Sequence, residues 1–208
     1  MRRTVGGIVL AAGLSRRMGN RNKLLLEIDG TPMVRRVVET ALAAGLDPVV
    51  VVVGYRGDEV RQTLAGLPVT CAENQRPEAG LSSSLRTGID AIAGAGRNRT
   101  NAAAVEGAVV LLGDMPWVEA RHISALLDEF DPTAGFSICV PVHEGRRGNP
   151  VLWDARFFSE MAALDGDVGA RALLERHAAV VHEVPVDDAG VLRDVDTPDE
   201  HAAAAARS

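Results

Sequence analysis

The chain has almost no lysine. Of its 22 basic residues one is a lysine, Lys23, and the rest are arginine. At most surface sites the two cations are interchangeable. They differ where a compact ammonium must meet a phosphate, because the guanidinium is broad and planar. Lys23 is therefore a marked position before any motif is considered. Cysteine is scarce as well. Cys71 and Cys139 sit in apolar contexts without metal-ligand spacing, so they read as reduced, buried thiols of a cytosolic protein. The five histidines are scattered, with no His-x-x-x-His pair. No apolar run approaches the ~20 residues of a membrane span. The net charge is −6, with a pI of about 5.4, so no global positive field favours nucleic acid.

What remains is the material of a soluble folded domain. Hydrophobic residues make up 47% of 208 and charged residues 24%, enough apolar mass for one sizeable core and no sign of disorder. Met1, Arg2 and Arg3 followed by an apolar run over 5–14 imitate a secretory signal. Ser15-Arg16-Arg17-Met18-Gly19 follows at once, without a small-x-small cleavage site, so the run is expected to be a first strand.

Strand-like and helix-like segments alternate along the chain. Apolar runs over 5–12, 48–53, 69–72, 108–112, 136–142, 150–153, 180–185 and 191–195 predict strands. Helical patterns cover 58–64, 81–93, 119–130, 154–163, 168–177 and 198–206. A further helix is predicted from Thr31 as N-cap and Pro32 as first helical residue to about Ala44. Residues 94–106, rich in Gly, Asn and Ala without apolar period, predict a surface loop. The alternation implies an α/β fold: a three-layer, Rossmann-like, mostly parallel sheet with helices on both faces. In such sheets ligands bind beyond the carboxyl ends of the strands, near a switch in strand order. That selects the loops 13–23, 74–84, 113–118, 143–150 and 165–171.

The first of these loops has the character of a triphosphate cradle. The small residues Ala11, Ala12 and Gly13 after Leu10 let a base or ribose approach the backbone. Gly13, Ser15 and Gly19 allow successive N–H groups to converge on an anion, and Arg16, Arg17 and Lys23 add charge. It is neither a Walker A loop nor a dinucleotide fingerprint, since both consensus patterns are missing. The missing dinucleotide turn also argues against a Rossmann oxidoreductase. Asp114 in Gly113-Asp114-Met115-Pro116 places a carboxylate at a strand end, where it suits a hard divalent cation that also touches phosphate. Asp194 and Asp196 lie on one strand face by period two, and either would complete a metal site with Asp114. Thr197, Pro198, Asp199 and Glu200 read as the start of a capped helix. Gly80, Ser82 and Ser84 open a helix whose hydroxyls suit base edges or phosphate oxygens. Asn149 and Arg171, in Gly-rich turns of the later half, suit a second substrate.

These motifs together resemble the nucleotidyltransferases of the nucleotide-diphospho-sugar transferase superfamily. The resemblance is closer to the molybdenum cofactor cytidylyltransferases. It rests on Leu10-Ala11-Ala12-Gly13-x-Ser15-x-Arg17-Met18-Gly19 with Lys23, and on the Gly113–Pro116 turn. It rests equally on Gly80-Leu81-Ser82-Ser83-Ser84-Leu85, Gly148-Asn149-Pro150, Gly166-Asp167-Val168-Gly169-Ala170-Arg171 and Asp194-Val195-Asp196-Thr197-Pro198-Asp199. The resemblance covers essentially the whole chain. It implies one nucleotidyltransferase domain over 1–208, with a nucleotide-binding half over about 1–118 and an acceptor half over about 119–208. It also implies a cytoplasmic enzyme that uses CTP with Mg²⁺ or Mn²⁺ and joins CMP to the terminal phosphate of molybdopterin, releasing pyrophosphate.

On that resemblance, Leu10, Ala11, Ala12 and Gly13 line the base and ribose. Ser15, Arg16, Arg17, Met18 and Gly19 hold phosphates, with Arg17 counted among the catalytic cations. Lys23 meets the α-phosphate, and Asp114 with Asp196 holds the metal. Gly80, Ser82 and Ser84 contact the nucleotide, and Asn149, Asp167 and Arg171 face the pterin. Ala12, where guanylyltransferase relatives usually carry a second Gly, and the Ser-rich segment favour cytidine by association. GTP, another phosphorylated acceptor, or a non-catalytic molybdenum cofactor carrier serving a molybdenum hydroxylase or its maturation factor are the alternatives.

Overall fold

In a computed structural model, which describes residues 3–13, 22–97, 104–166 and 170–196, the apolar runs become a layered α/β fold. Strand β1, Val5–Ala11, is buried along its whole length. A hairpin follows, β2 (Glu27–Ile28) and β3 (Thr31–Pro32), then helix α1 (Met33–Ala43). The chain continues through β4 (Val49–Val53), α2 (Gly57–Thr63), β5 (Thr70–Glu73), α3 (Leu81–Arg97), β6 (Gly107–Leu112) and α4 (Ala120–Glu129). It ends, among the described residues, with β7 (Ile138–His143), β8 (Arg146–Arg147), β9 (Val151–Asp154), α5 (Phe158–Ala162), α6 (Arg171–Arg176) and β10 (Val181–Pro185).

The main sheet runs β10-β7-β9-β6-β1-β4-β5, with β8 paired to β7. Strand β1 pairs in parallel with β4 on one side and with β6 on the other. The order therefore switches at β1, and the carboxyl ends of β1 and β6 open on the ligand side. Strand β9 is reversed, lying antiparallel between β6 and β7. The sheet is mixed and mostly parallel.

Period-two side chains divide each central strand between two cores. Val9 and Ala11 of β1 with Val51 and Val53 of β4 face α1 and α4, including Val37 and Leu126. Ile8, Leu10 and Ala12 with Val50 and Val52 face α3 and α5, including Leu85, Ile92 and Met161. Each fully buried Val, Ile, Leu or Met among them contributes about 1.5–3 kcal/mol of transfer free energy. The apolar runs are continuous because both faces are covered.

Several expectations need correction. Thr31 and Pro32 do not cap α1. They pair as a strand with Glu27 and Ile28, around Asp29 and Gly30 at φ +53° and +73°. Those are the positive angles of a tight two-residue hairpin, for which Asp-Gly is the strongest signal. Pro32 precedes the helix with no side-chain cap. Residues 94–97, expected in a loop, continue α3, whose apolar face still packs on the sheet through Ile89 and Ile92. The helix expected over 154–163 is split into a 3₁₀ turn, Ala155–Phe157, and α5. The strand expected over 191–195 does not form. Residues Ala189–Leu192 make a 3₁₀ turn and 193–196 are irregular, so the period-two placement of Asp194 and Asp196 fails. Val191 and Val195 are apolar because they are buried, Val195 beside Ile28 and Met33, not because they join a ladder. The helix predicted over 198–206 lies outside the described residues.

Candidate functional site

The end of β1 sets the site. Leu10, Ala11 and Ala12 are buried, and Gly13 emerges exposed. Two glycines let neighbouring turns close on this end. A Cβ on Gly54 would stand 3.0 Å from both the Cβ and the carbonyl oxygen of Ala12. A Cβ on Gly113 would stand 3.1 Å from the Leu10 carbonyl oxygen, to which the Gly113 N–H donates at 3.0 Å. The β6 turn is thereby drawn over the end of β1, and Asp114 follows immediately.

Lys23 comes to the same point from a separate element. It begins a 3₁₀ turn, Lys23–Leu25, capped by Asn22, whose Oδ1 accepts from Leu24 N–H at 3.1 Å. Leu24 is buried against the Gly113 turn, which anchors the lysine backbone. The Nζ of Lys23 donates to Asp114 Oδ2 at 2.6 Å and to Asp196 Oδ1 at 2.7 Å. Its side chain is only 13% exposed. Burial opposes the ammonium charge, but the Asp114 and Asp196 carboxylates outweigh it, and the Lys23 pKa is raised above the ordinary lysine value. Partial desolvation, with Asp196 and Asp114 nearby, pushes the Asp194 carboxyl up. Asp194 is exposed, and it is Asp196 that reaches Lys23.

Asp114 and Asp196 thus direct oxygens at one cation position, which the Lys23 ammonium fills. Two carboxylates are the donor set by which Mg²⁺ or Mn²⁺ is held when substrate phosphates complete the shell. The residues fit such a metal. Among the described residues there is no group of three or more His, Cys, Asp or Glu that would hold one alone.

The helix start predicted to touch nucleotide is tied down from behind. Asn74 Nδ2 donates to Ser83 Oγ at 2.8 Å and to Ser84 Oγ at 3.0 Å. Ser82 and Ser84 are buried, and Gly80 turns the chain into α3 at φ +91°. Asn74 opens the selected loop 74–84 but is not among the residues singled out from the sequence. Beside the end of β1 lies a cavity of about 620 Å³. Leu10, Leu85, Val110, Leu112 and Trp153 give it an apolar floor, and Asn149, Arg171, Arg147, Glu175 and Glu183 give it a polar wall. The structure therefore brings Leu10, Asn149 and Arg171 to one cavity. Arg147, which donates to Glu183 at 2.7 Å, was missed by the sequence reading. Ser15, Arg16, Arg17, Met18, Gly19 and Asp167 lie outside the described residues.

Both cysteines are free thiols, and of the two expected to be buried only Cys139 is fully so. Cys139 is buried and pushed up to about 12 by desolvation, and Cys71 is half-buried and also raised by burial. No helix among the described residues is long and apolar enough to cross a membrane.

A doubly wound sheet with its switch at β1, a lysine held between two carboxylates there, and a cavity alongside define a protein of the nucleotidyltransferase fold class. Residues 7–181 match the MobA-like NTP transferase domain, and the chain belongs to that family. It is 33% identical to the purine catabolism protein PucB of Bacillus subtilis, over 94% of this chain and 93% of that one. It is 30% identical to nicotine blue oxidoreductase of Paenarthrobacter nicotinovorans, over 94% of each. It is 28% identical to a probable molybdenum cofactor guanylyltransferase of Natronomonas pharaonis, over 93% of each. Among solved structures it resembles Rv0371c of Mycobacterium tuberculosis at a TM-score of 0.81 and 26% identity, over 99% of this chain and 100% of that one.

Proposed function

We propose that the protein transfers CMP from CTP to the terminal phosphate of a molybdopterin-type acceptor in the cytoplasm. An acceptor phosphate oxygen attacks the α-phosphorus of CTP. The bond from that phosphorus to the oxygen bridging the α- and β-phosphates breaks, and pyrophosphate leaves with the electron pair. The observation that carries this reading is the Lys23–Asp114–Asp196 cluster at the carboxyl ends of β1 and β6, beside the cavity. The family and the guanylyltransferase relative support the chemistry and the pterin, whereas cytidine is favoured only by Ala12 and the Ser82–Ser84 helix start.

The attacking phosphate is already anionic, so no strong base is required, and the barrier lies in charge repulsion and alignment. Leu10, Ala11, Ala12 and Gly13 offer a flat, close backbone to the base and ribose. Gly80, Ser82 and Ser84 flank the nucleotide, with Ser84 held in place by Asn74. Ser15, Arg16, Arg17, Met18 and Gly19 cradle the phosphates. Lys23 supplies a proton-rich cation to the α-phosphate. Asp114 and Asp196 would hold Mg²⁺ or Mn²⁺, which when bound supplies Lewis-acid charge to the phosphates. Asn149, Asp167 and Arg171 orient the acceptor.

The test is pyrophosphate release from CTP, GTP, ATP and UTP, with and without molybdopterin. Release from CTP that requires molybdopterin supports the proposal. Preference for GTP would reassign the base, and nucleotide binding without release would make the protein a cofactor carrier. NADH oxidation in place of release would make it an oxidoreductase.

A further inference from the structure

Among the described residues, Asp196 ends a stretch, 193–196, that is neither helix nor strand. A ligand carboxylate on irregular chain is useful only if tertiary contacts order it. The structure supplies four such contacts, spaced along residues 188–196.

The first is a buried histidine. His122 is 2% exposed, in the first turn of α4. The Glu119 backbone N–H donates to its Nδ1 at 3.1 Å, so Nδ1 is the acceptor nitrogen and Nε2 carries the proton. Nε2 then donates to Asp188 Oδ2 at 2.9 Å. Arg121 donates to the same carboxylate, and the Gly190 N–H donates to its Oδ1 at 2.6 Å. Asp188 therefore has every oxygen engaged from α4 and from its own turn.

The second contact is at Trp117, three residues after Asp114. A Cβ on Gly190 would stand 2.4 Å from the Trp117 carbonyl oxygen, so only glycine lets the segment lie this close. Two residues past the 3₁₀ turn's Val191, the Arg193 guanidinium lies 3.9 Å from the Trp117 ring centroid. The third contact is at the carboxylates themselves: the Val195 N–H donates to the Asp114 carbonyl oxygen at 3.0 Å. The fourth is on the opposite edge, where the Val191 carbonyl oxygen accepts from Asn149 N–H at 2.8 Å, beside the proposed acceptor cavity.

We infer that residues 188–196 form a strap fastened by His122 and Asp188, and that these two are positioning residues that set Asp196 against Asp114 and Lys23. Neither touches the reacting atoms. The strap also joins the acceptor turn at Asn149 to the carboxylate pair, so one short segment registers both halves of the site. The inference rests on the proposed reading of Asp196 as a metal-side carboxylate.

The test measures Mn²⁺ binding to the full chain by electron paramagnetic resonance, with kcat, KM for CTP and thermal stability. The variants are Asp196→Asn, Asp188→Ala, Asp188→Asn and Gly190→Ala. Asp196→Asn is expected to weaken Mn²⁺ binding. Asp188→Ala and Gly190→Ala are expected to weaken it about tenfold, with kcat falling and KM for CTP little changed, as for loss of outer-shell support. Asp188→Asn, which keeps the Gly190 contact, is expected to lie between wild type and Asp188→Ala, and it serves if the other two do not fold. If Asp196→Asn weakens Mn²⁺ binding but the strap variants lose only thermal stability, the strap is merely structural and the inference falls alone. If Asp196→Asn leaves Mn²⁺ binding intact, the reading of Asp196 falls and takes the inference with it.

Discussion

Lys23 Nζ and Asp114 Oδ2 are 2.6 Å apart although 91 positions separate them in the chain. Asp196 Oδ1 lies 2.7 Å from the same nitrogen, so a small cation is held between two carboxylates. An ammonium fits one point, whereas a guanidinium spreads its charge over a planar fork. Lys23→Met is expected to lower CTP turnover by about 10²-fold or more, the usual cost of losing one preorganised charge contact. Lys23→Arg is expected to lose at least about tenfold on the same grounds. Pyrophosphate release at saturating CTP checks both. An Arg variant with wild-type turnover would mean that the solitary lysine reflects composition alone.

The same geometry makes the ammonium and a divalent cation competitors for Asp114 and Asp196. In the absence of nucleotide, Lys23→Met is expected to bind Mn²⁺ more tightly than wild type, because the competing charge is gone. Titration of the Mn²⁺ resonance signal with protein reads this directly. Equal or weaker binding would show that the metal uses oxygens other than these.

Asp188 provides a pH prediction. Burial opposes its charge, but the Gly190 N–H, His122 and Arg121 outweigh this and hold its carboxyl below the usual Asp value. A group with a depressed folded pKa stabilises the fold above its unfolded pKa, and the benefit is lost as pH falls through the folded value. The stability gap between wild type and Asp188→Asn is therefore expected to be constant near neutrality and to shrink below about pH 4, the ordinary Asp range. Denaturant melts across that range measure it. A gap that grew on acidification would contradict the assigned partners.

Gly88 tests the packing of α3 on the sheet. Alanine in a helix interior normally gains about 1 kcal/mol over glycine. Here the added Cβ would stand 2.4 Å from Ile8 Cγ2 and 3.1 Å from Val52 Cγ2, both on buried β-branched residues. Overpacking of that kind costs about 1–3 kcal/mol, which exceeds the propensity gain. Gly88→Ala is expected to lower Tm by a few degrees, roughly 2–4 °C per kcal/mol at this chain length. A higher Tm would show that the helix can shift off β1 freely.

Much of the fold could be read from the chain because its signals are local. The five valines of β4 form an unbroken apolar run because Val50 and Val52 face one core while Val51 and Val53 face the other. Asp114 was legible for a similar reason, since a carboxylate directly after an apolar strand falls on the ligand side. Thr31-Pro32 misled because a helix-start signal and the Asp29-Gly30 hairpin signal overlap, and the strand pairing of Glu27 and Ile28 won. Val191 and Val195 misled because burial under a loop and burial in a strand give the same apolar letters. Distant pairings had no local signal at all. The His122–Asp188 bond spans 66 positions, and nothing in either neighbourhood points to the other. Lys23 and Asp196, 173 positions apart, are each expected at the phosphate and metal site, but their direct ion pair is not.

The solitary lysine has a practical corollary. A chain of 208 residues with one lysine carries a single ε-amino group, and that group lies at the site. Labelling lysine with nitrogen-15 would give one Nζ resonance for the whole protein, free of overlap. Its shift would follow the replacement of two carboxylate partners by phosphate as nucleotide is titrated. Occupancy of the site would then be read from one atom, in the native sequence, without introducing a reporter.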